Sequence, residues 1–440
     1  MRILVKNDEN IKQTMFWFDY IRDIYPSLMN DIVLVDLSHS GDIRKWASGQ
    51  SDFTYVYFEE EVTCGSAFDQ VIDALGIKED ILITDCFHIP LMDSYDRLLD
   101  AVHKNRDALA VGPLSNSFGW KQHIKWKDAK EALDWSEAGS DKGAEEVLML
   151  EDGVILFSEK VIYGKDTFDV EAEDIDNMIK EKCIREFLEH LRMYVVKSAG
   201  FWDTRGNDHI VAGIHRYDLL KKRFNIHYFN VNGNEWLTEL LSECEDLNDD
   251  ISVLEVGCDC GGNLFGIRQL FKNARLYGTD INEGALRFAS EFAEVKINNI
   301  EEHNLDFGTD GFDIIVFADV LEHLNDPLGT LLYCRKLLKN GGRIAASIPN
   351  LMNIEVIRQL LDGNFTYSDI GLLDRTHIHM FTYNEIIKMF VKDAGYTIEK
   401  LAMNSTPNVN DDKLISELVK LGRAEEFMYR AYQYQIVARS

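Results

Sequence analysis

A chain of 440 residues is long for one hydrophobic core, so two domains are the natural expectation. Hydrophobic content of 46% supplies enough apolar material for packed interiors, and the chain does not read as disordered. A formal charge of −29 argues against nucleic acid and anionic membranes as partners, because affinity for phosphates is built from clustered Lys and Arg.

The opening Met1-Arg2-Ile3-Leu4-Val5-Lys6-Asn7-Asp8 lacks the apolar stretch and small-residue cleavage site of a secretory signal, and no apolar run is long enough to span a bilayer. The seven cysteines are scattered apart from Cys258 and Cys260, which lack the spacing and companion ligands of a zinc site. An odd number suits a reducing compartment. These features predict a cytoplasmic protein with no transmembrane segment.

Along the chain, short apolar runs alternate with helical periodicity, which favours α/β sheets with parallel strands. In the first block strands are expected at Arg2–Lys6, Asp31–Asp36, Thr54–Phe58, Ile81–Thr84, Ala108–Gly112 and Gly153–Phe157. Helices are expected at Gln13–Ile24, Ala67–Leu75 and Ser94–His103, with a long amphipathic one at Asp174–Leu191. Gly206, Asn207, Asp208 and Gly213 then break the periodicity. The expected division is a domain over 1–210, a linker over 211–230 and a second domain over 231–440. In the second block a helix is expected at Glu235–Cys244, and strands at Ser252–Val256, Arg275–Gly278, Glu294–Ile297, Asp313–Ala318, Arg343–Ile348, Thr397–Met403 and Tyr432–Ala438.

The strand Ser252–Val256 runs straight into Gly257-Cys258-Asp259-Cys260-Gly261, and a helix starts near Asn263. A tight glycine turn between strand and helix brings a ligand close to backbone N–H groups. Asp280, at the tip of the next strand, stands where ribose hydroxyls are held in such sites. Asp259 occupies a position where glycine is usual, and Asp is among the few other residues that tolerate a left-handed backbone. Its charge would repel a pyrophosphate, as in NAD, but suits the cationic sulfonium of S-adenosylmethionine. Glu255 is placed to meet the ammonium of a methionine moiety.

From Val253 to about Met403 the chain resembles the class I methyltransferases, above all those acting on small molecules and sugars. The motifs are Leu254-Glu255-Val256-Gly257-Cys258, Gly278-Thr279-Asp280-Ile281, Phe312-Asp313-Ile314-Ile315 leading to Asp319-Val320-Leu321-Glu322-His323-Leu324, and Asn340-Gly341-Gly342-Arg343. The resemblance implies S-adenosylmethionine bound by Glu255, Gly257, Cys258, Gly261, Asp280, Ile281, Asn299, Ile300, Asp319 and Val320. Asn299 stands where an adenine-contacting Asp is common, and its carbonyl can still accept the adenine amino hydrogen. Asp326-Pro327 reads as a helix start, Gly341-Gly342 as that helix's end, and Thr382 with Glu385 as a capping box stapled by Phe381 and Ile386. The insertion Leu351–Met380 is expected to shape the acceptor pocket. A sugar hydroxyl needs a base, and His323 or His377 is the candidate, with Asp374 and Arg375 beside it; each His, like His379, also reads as a simple loop anchor.

In the first block, Ile32-Val33-Leu34-Val35-Asp36 ends in the polar turn Leu37-Ser38-His39-Ser40-Gly41-Asp42. Ile81-Leu82-Ile83-Thr84-Asp85, Val111-Gly112-Pro113-Leu114-Ser115-Asn116, Gly153-Val154-Ile155-Leu156-Phe157-Ser158 and Glu173-Asp174-Ile175-Asp176 follow in order. Over about residues 1–205 this series resembles family 2 glycosyltransferases of the nucleotide-diphosphosugar fold. That resemblance implies Asp36 on the nucleotide base, Asp85 on a metal ion (Mg or Mn) holding a nucleotide-sugar donor, and Glu173 or Asp174 as general base. Phe87 stands where the second metal-binding acid belongs, and His88 beside it is a poorer magnesium ligand.

The fold expected is therefore α/β in two domains: an N-terminal nucleotide-diphosphosugar transferase-like fold and a C-terminal seven-stranded Rossmann-like methyltransferase fold. The function expected is methylation of a sugar or glycan acceptor, fused to a glycosyltransferase-like module in polysaccharide or glycoconjugate biosynthesis. The alternatives are a small-metabolite methyltransferase with a glycan-binding first domain, and a non-catalytic nucleotide-binding scaffold.

Overall fold

The computed structural model describes residues 1–7, 10–38, 40–117, 122–137, 143–150, 153–205, 218–226, 229, 231–244, 247, 250–405, 412–422 and 424–440. They divide into two units, Met1–Phe224 and Asn225–Ser440. His39 of the polar turn, and Gly206, Asn207, Asp208 and Gly213, read above as the break between domains, lie outside the described residues. The helix Asp218–Phe224, within the segment expected as linker, belongs to the first unit. Lys222 pairs with Glu171 and Arg223 with Asp169.

The first unit holds β1 (Arg2–Asn7), β2 (Ile32–Asp36), β3 (Thr54–Tyr57), β4 (Ile81–Asp85), β5 (His88–Pro90), β6 (Ala108–Ser115), β7 (Ala144–Val147), β8 (Ile155–Phe157) and β9 (Arg192–Asp203). Their order is β3-β2-β1-β4-β8-β6-β9-β5, with β7 on β9. Strands β1 to β4 are parallel, and β8 runs antiparallel to both β4 and β6. Every residue of β2, β4 and β6 is buried, as in sheets covered on both faces. The helix Ile11–Ile24 starts where Asn10 accepts the Gln13 N–H, and it turns Trp17, Phe18 and Ile21 into the core. At the start of the helix Cys64–Leu75, a Cβ on Gly65 would lie 1.8 Å from the Asp169 carbonyl oxygen, so only glycine fits there.

The second unit holds β10 (Ser252–Val256), β11 (Arg275–Asp280), β12 (Glu294–Ile297), β13 (Phe312–Ala318), β14 (Leu338–Pro349), β15 (Thr397–Ser405) and β16 (Ala431–Arg439). They form one sheet in the order β12-β11-β10-β13-β14-β16-β15. All pairings up to β14 are parallel, and β16 is antiparallel to both its neighbours. The strand order reverses between β10 and β13, which opens a crevice at their carboxyl ends, the usual ligand position in such sheets.

Three local expectations are corrected. The helix Pro327–Leu337, capped by Asp326 as expected, ends before Gly341-Gly342 and not at it. The chain is already strand at Leu338, and the glycines sit where the β13–β14 register shifts; a Cβ on Gly342 would come within 2.9 Å of the Phe312 carbonyl oxygen. Thr382 does stand at a helix start, but its side chain makes no capping bond, so the capping box is absent. Phe381 and Ile386 nonetheless share one core cluster. The helix expected to run to Leu191 ends at Phe187. No helix among the described residues is long and apolar enough to cross a membrane.

Candidate active site

The five buried residues of β10 lead into a loop that only a left-handed backbone can make. Gly257, Asp259 and Gly261 have φ of +70°, +45° and +83°. The N–H groups of Gly257 and Cys258 donate to the Thr279 carbonyl at 2.8 and 3.1 Å, which pins the turn to β11. Asp280 reinforces it: one carboxylate oxygen accepts the Asp259 N–H at 2.9 Å, the other the Asn282 N–H at 2.8 Å. Each oxygen retains an acceptor position for a ligand hydroxyl. A Cβ on Gly257 would lie 2.7 Å from Val320 Cγ2, so the loop is pressed against the chain leaving β13. Cys258 and Cys260 are buried thiols, and burial pushes both above their ordinary range.

Glu255 is 1% exposed. Its Oε1 accepts from Asn263 Nδ2 at 2.6 Å, while Oε2 has no partner. Burial pushes the carboxyl up to about 8, the charges of Asp259 and Asp280 add to the rise, and the Asn263 bond opposes it. A buried carboxylate with one open oxygen is stabilised by an arriving cation.

Across the crevice, Asp319 has φ of +57° and its N–H donates to Ser347 Oγ at 3.0 Å. The Gln433 amide donates to the Asp319 carboxylate. Asn299 caps the short turn Ile300–Glu302 by accepting the Glu301 N–H at 3.1 Å. Ile300, assigned to the cofactor by resemblance, turns its side chain into the core. Ile281, beside Asp280, is 78% exposed.

The insertion 351–380 is clipped onto the turn Leu321–His323 by the N–H groups of Ile378 and His379, both donating to the Glu322 carbonyl at 3.0 Å. This brings the rings of His323 and His377 to 4.8 Å. Each ring is anchored by Nδ1, His323 on the Thr376 carbonyl at 3.1 Å and His377 on the Leu372 carbonyl at 3.2 Å. In a neutral imidazole, an Nδ1–H donated to the carbonyl leaves Nε2 as a lone-pair acceptor. Burial lowers the pKa of His377, the Leu372 carbonyl opposes this, and His323 adds to the lowering. Glu322 was not singled out from sequence. It is 0% exposed, both its oxygens lack hydrogen-bond partners, and burial holds it protonated well above the ordinary carboxylate range. The Asp374 carboxylate accepts from Thr376, its carbonyl accepts the His377 N–H at 3.0 Å, and Arg375 pairs with Asp369, so Asp374 holds the His377 backbone and neither side chain bonds the ring.

Three of the acids assigned in the first unit by resemblance, Asp36, Asp85 and Asp174, are held by the chain itself. Asp36 Oδ1 accepts from Asn7 Nδ2, the Ser38 N–H and Ser38 Oγ, and Oδ2 accepts from Tyr55 at 2.7 Å. Asp174 is the N-cap of the helix Ile175–Phe187, both oxygens engaged by Asn177, and Glu173 is exposed. Asp85 does not fit the expected metal role. Its Oδ1 accepts from the Phe87 N–H, the His88 N–H and His88 Nδ1 at 2.8, 3.1 and 2.7 Å, and Oδ2 faces Arg205 at 3.6 Å. Burial alone would raise this carboxyl, but His88 and Arg205 hold it down at about 2. A divalent cation would meet two protein cations here, and His88 also faces Asp203 at 3.5 Å.

Comparison with known proteins bears on the second unit. Residues 254–344 match the family model described as a methyltransferase domain. The chain is 25% identical over 195 residues to a ubiquinone biosynthesis O-methyltransferase of Aromatoleum aromaticum, covering 42% of this chain and 78% of that one. It is 30% identical over 107 residues to the same-named enzyme of Cereibacter sphaeroides, covering 23% of this chain and 42% of that one. Among solved structures, an S-adenosylmethionine-dependent methyltransferase of Archaeoglobus fulgidus aligns over 51% of this chain and 99% of that one, at 16% identity and a TM-score of 0.34.

Proposed function

We propose that the C-terminal region, of which residues 254–344 match a methyltransferase domain, is a class I, S-adenosylmethionine-dependent methyltransferase that methylates an oxygen or amine of a sugar or glycan intermediate. The observation that carries the cofactor reading is the open oxygen of buried Glu255, which suits the ammonium of the methionine moiety. S-adenosylmethionine supplies, when bound, a methyl group made electrophilic by its sulfonium. Asp259 adds negative charge beside that cation, Asp280 offers its remaining acceptor positions to ribose hydroxyls, and Gly257 and Gly261 keep the loop free of side chains. Cys258, Val320 and Ile281 border the same crevice, Asn299 and the backbone of Ile300 sit at the adenine end, and Asp319 closes the opposite wall.

His377 takes the proton of the acceptor. Its Nε2 lone pair is fixed by the Leu372 carbonyl on the other nitrogen, and its lowered pKa keeps it neutral near pH 7. His323 is the alternative base on the same wall. Oxygen as the accepting atom is favoured by the relatives named O-methyltransferases.

For the first unit the reading is a glycosyltransferase-like module that presents a sugar or glycan without a divalent cation. The spent carboxylates of Asp36, Asp85 and Asp174 favour this binding role over nucleotide-sugar transfer. Calorimetry with S-adenosylhomocysteine tests the cofactor reading: binding that Asp280→Ala removes is expected, and no binding by the intact chain sinks it.

A further inference from the structure

Glu322, His323 and His377 share a property that a base and its supports do not require. Their ligand atoms, a carboxylate oxygen and two ring nitrogens, all lie within 4.8 Å of one another. The Nδ1 anchors on Thr376 and Leu372 aim both Nε2 lone pairs away from the backbone. Glu322 contributes a carboxyl group that is 0% exposed and whose oxygens have no hydrogen-bond partner. The separation of 3.9 Å between His377 Nε2 and Glu322 Oε1 is too long for a hydrogen bond, so no shared proton joins them. A buried carboxyl with no hydrogen-bond partner beside two ring nitrogens is left unsatisfied, and an ion that displaces its proton would satisfy all three groups. The two segments that carry the groups are already fixed to each other by the paired N–H bonds onto the Glu322 carbonyl. Little rearrangement is then needed for binding.

We propose that Glu322, His323 and His377 hold one divalent transition-metal ion, with zinc the best match, inside the crevice read above as the methyl-acceptor site. Two imidazoles and one carboxylate are a ligand set that suits zinc, cobalt or iron, whereas magnesium prefers oxygen ligands and keeps its waters. Three protein ligands leave coordination positions open. Those positions fit an acceptor with two neighbouring oxygens, such as a vicinal diol. With the ion present His323 and His377 are ligands, and the base role given to His377 above belongs to the ion-free site. The inference rests on the methyltransferase reading only for the acceptor class; the ion site itself stands on the side chains.

The test is calorimetric titration of the full-length, chelator-treated chain with zinc, and visible spectroscopy of the cobalt-loaded chain. One zinc per chain and d–d bands of a low-coordinate cobalt site are expected. Glu322→Gln and His377→Ala should each weaken zinc binding at least about tenfold. His379→Ala should leave it unchanged, since that ring lies on the Asn325 carbonyl. S-adenosylhomocysteine binding by each variant reports that the unit is folded. Should Glu322→Gln fail this control, His377→Ala alone decides. Absence of stoichiometric zinc binding, or binding that neither variant weakens, overturns the proposal. Zinc binding without S-adenosylhomocysteine binding would leave the ion site and remove the proposed function; the converse would do the opposite.

Discussion

Replacing Glu255 by Gln should change how the second unit's stability depends on pH. In the unfolded chain this carboxyl titrates at its ordinary value near 4.5, and in the folded chain at about 8. Between those values the folded chain holds a proton that the unfolded chain has lost. Stability is therefore full below the unfolded value, falls as pH rises through the window, and levels off above about 8. From about pH 6 to about pH 8 the loss comes to roughly 2 kcal/mol, at ~1.4 kcal/mol for each unit of differential titration. Gln keeps the shape and the contact with Asn263 but has nothing to titrate. Trp236 is the only tryptophan after residue 225, so a fluorotryptophan NMR signal at that position follows urea unfolding of this unit separately. The wild-type stability minus that of Glu255→Gln should fall by that amount across the window. Saturating S-adenosylhomocysteine should flatten the fall, because a bound ammonium ionises Glu255. Parallel pH curves for the two proteins without ligand would refute the argument.

Gly257→Ala places a Cβ 2.7 Å from Val320 at a φ of +70°, and should cost roughly 1–3 kcal/mol of stability or S-adenosylhomocysteine affinity; calorimetry and thermal unfolding with values matching wild type would contradict it. Asp85→Asn should leave the number of manganese ions bound per chain unchanged, because His88 and Arg205 already neutralise that carboxylate. Loss of one ion, counted by electron paramagnetic resonance, would restore the metal role.

The second unit was legible because its chemistry is local. A buried strand, a glycine turn and an acid at the end of the next strand follow one another along a short stretch of chain, and strands Ser252–Val256 and Glu294–Ile297 fall where the pattern puts them. Asp259 also adopts the left-handed backbone expected of it. The first unit was harder to read. Strand β9 carries Lys197, Ser198 and Gly200 in its middle and pairs with β5, β6 and β7, partners distant in sequence, so neither composition nor period marks it. The fate of Asp85 was equally hidden: Phe87 signalled a missing ligand, but nothing in the chain shows Arg205, 120 positions on, arriving at the same carboxylate. Glu322 escaped notice because an acid between Leu321 and His323 looks like a solvated turn. Only the packing of the insertion reveals that it is enclosed.

The position of β16 also sets an order of events during synthesis. Ala431–Arg439 is an interior strand, hydrogen-bonded to β14 on one side and β15 on the other. Until those residues have left the ribosome, β14 has an open edge and β15 has nothing to pair with. The crevice-bearing strands β10 to β13 can form beforehand, but Gln433, which reaches Asp319, arrives only with β16. Completion of the sheet and completion of the crevice are thus one event, and both wait for β16.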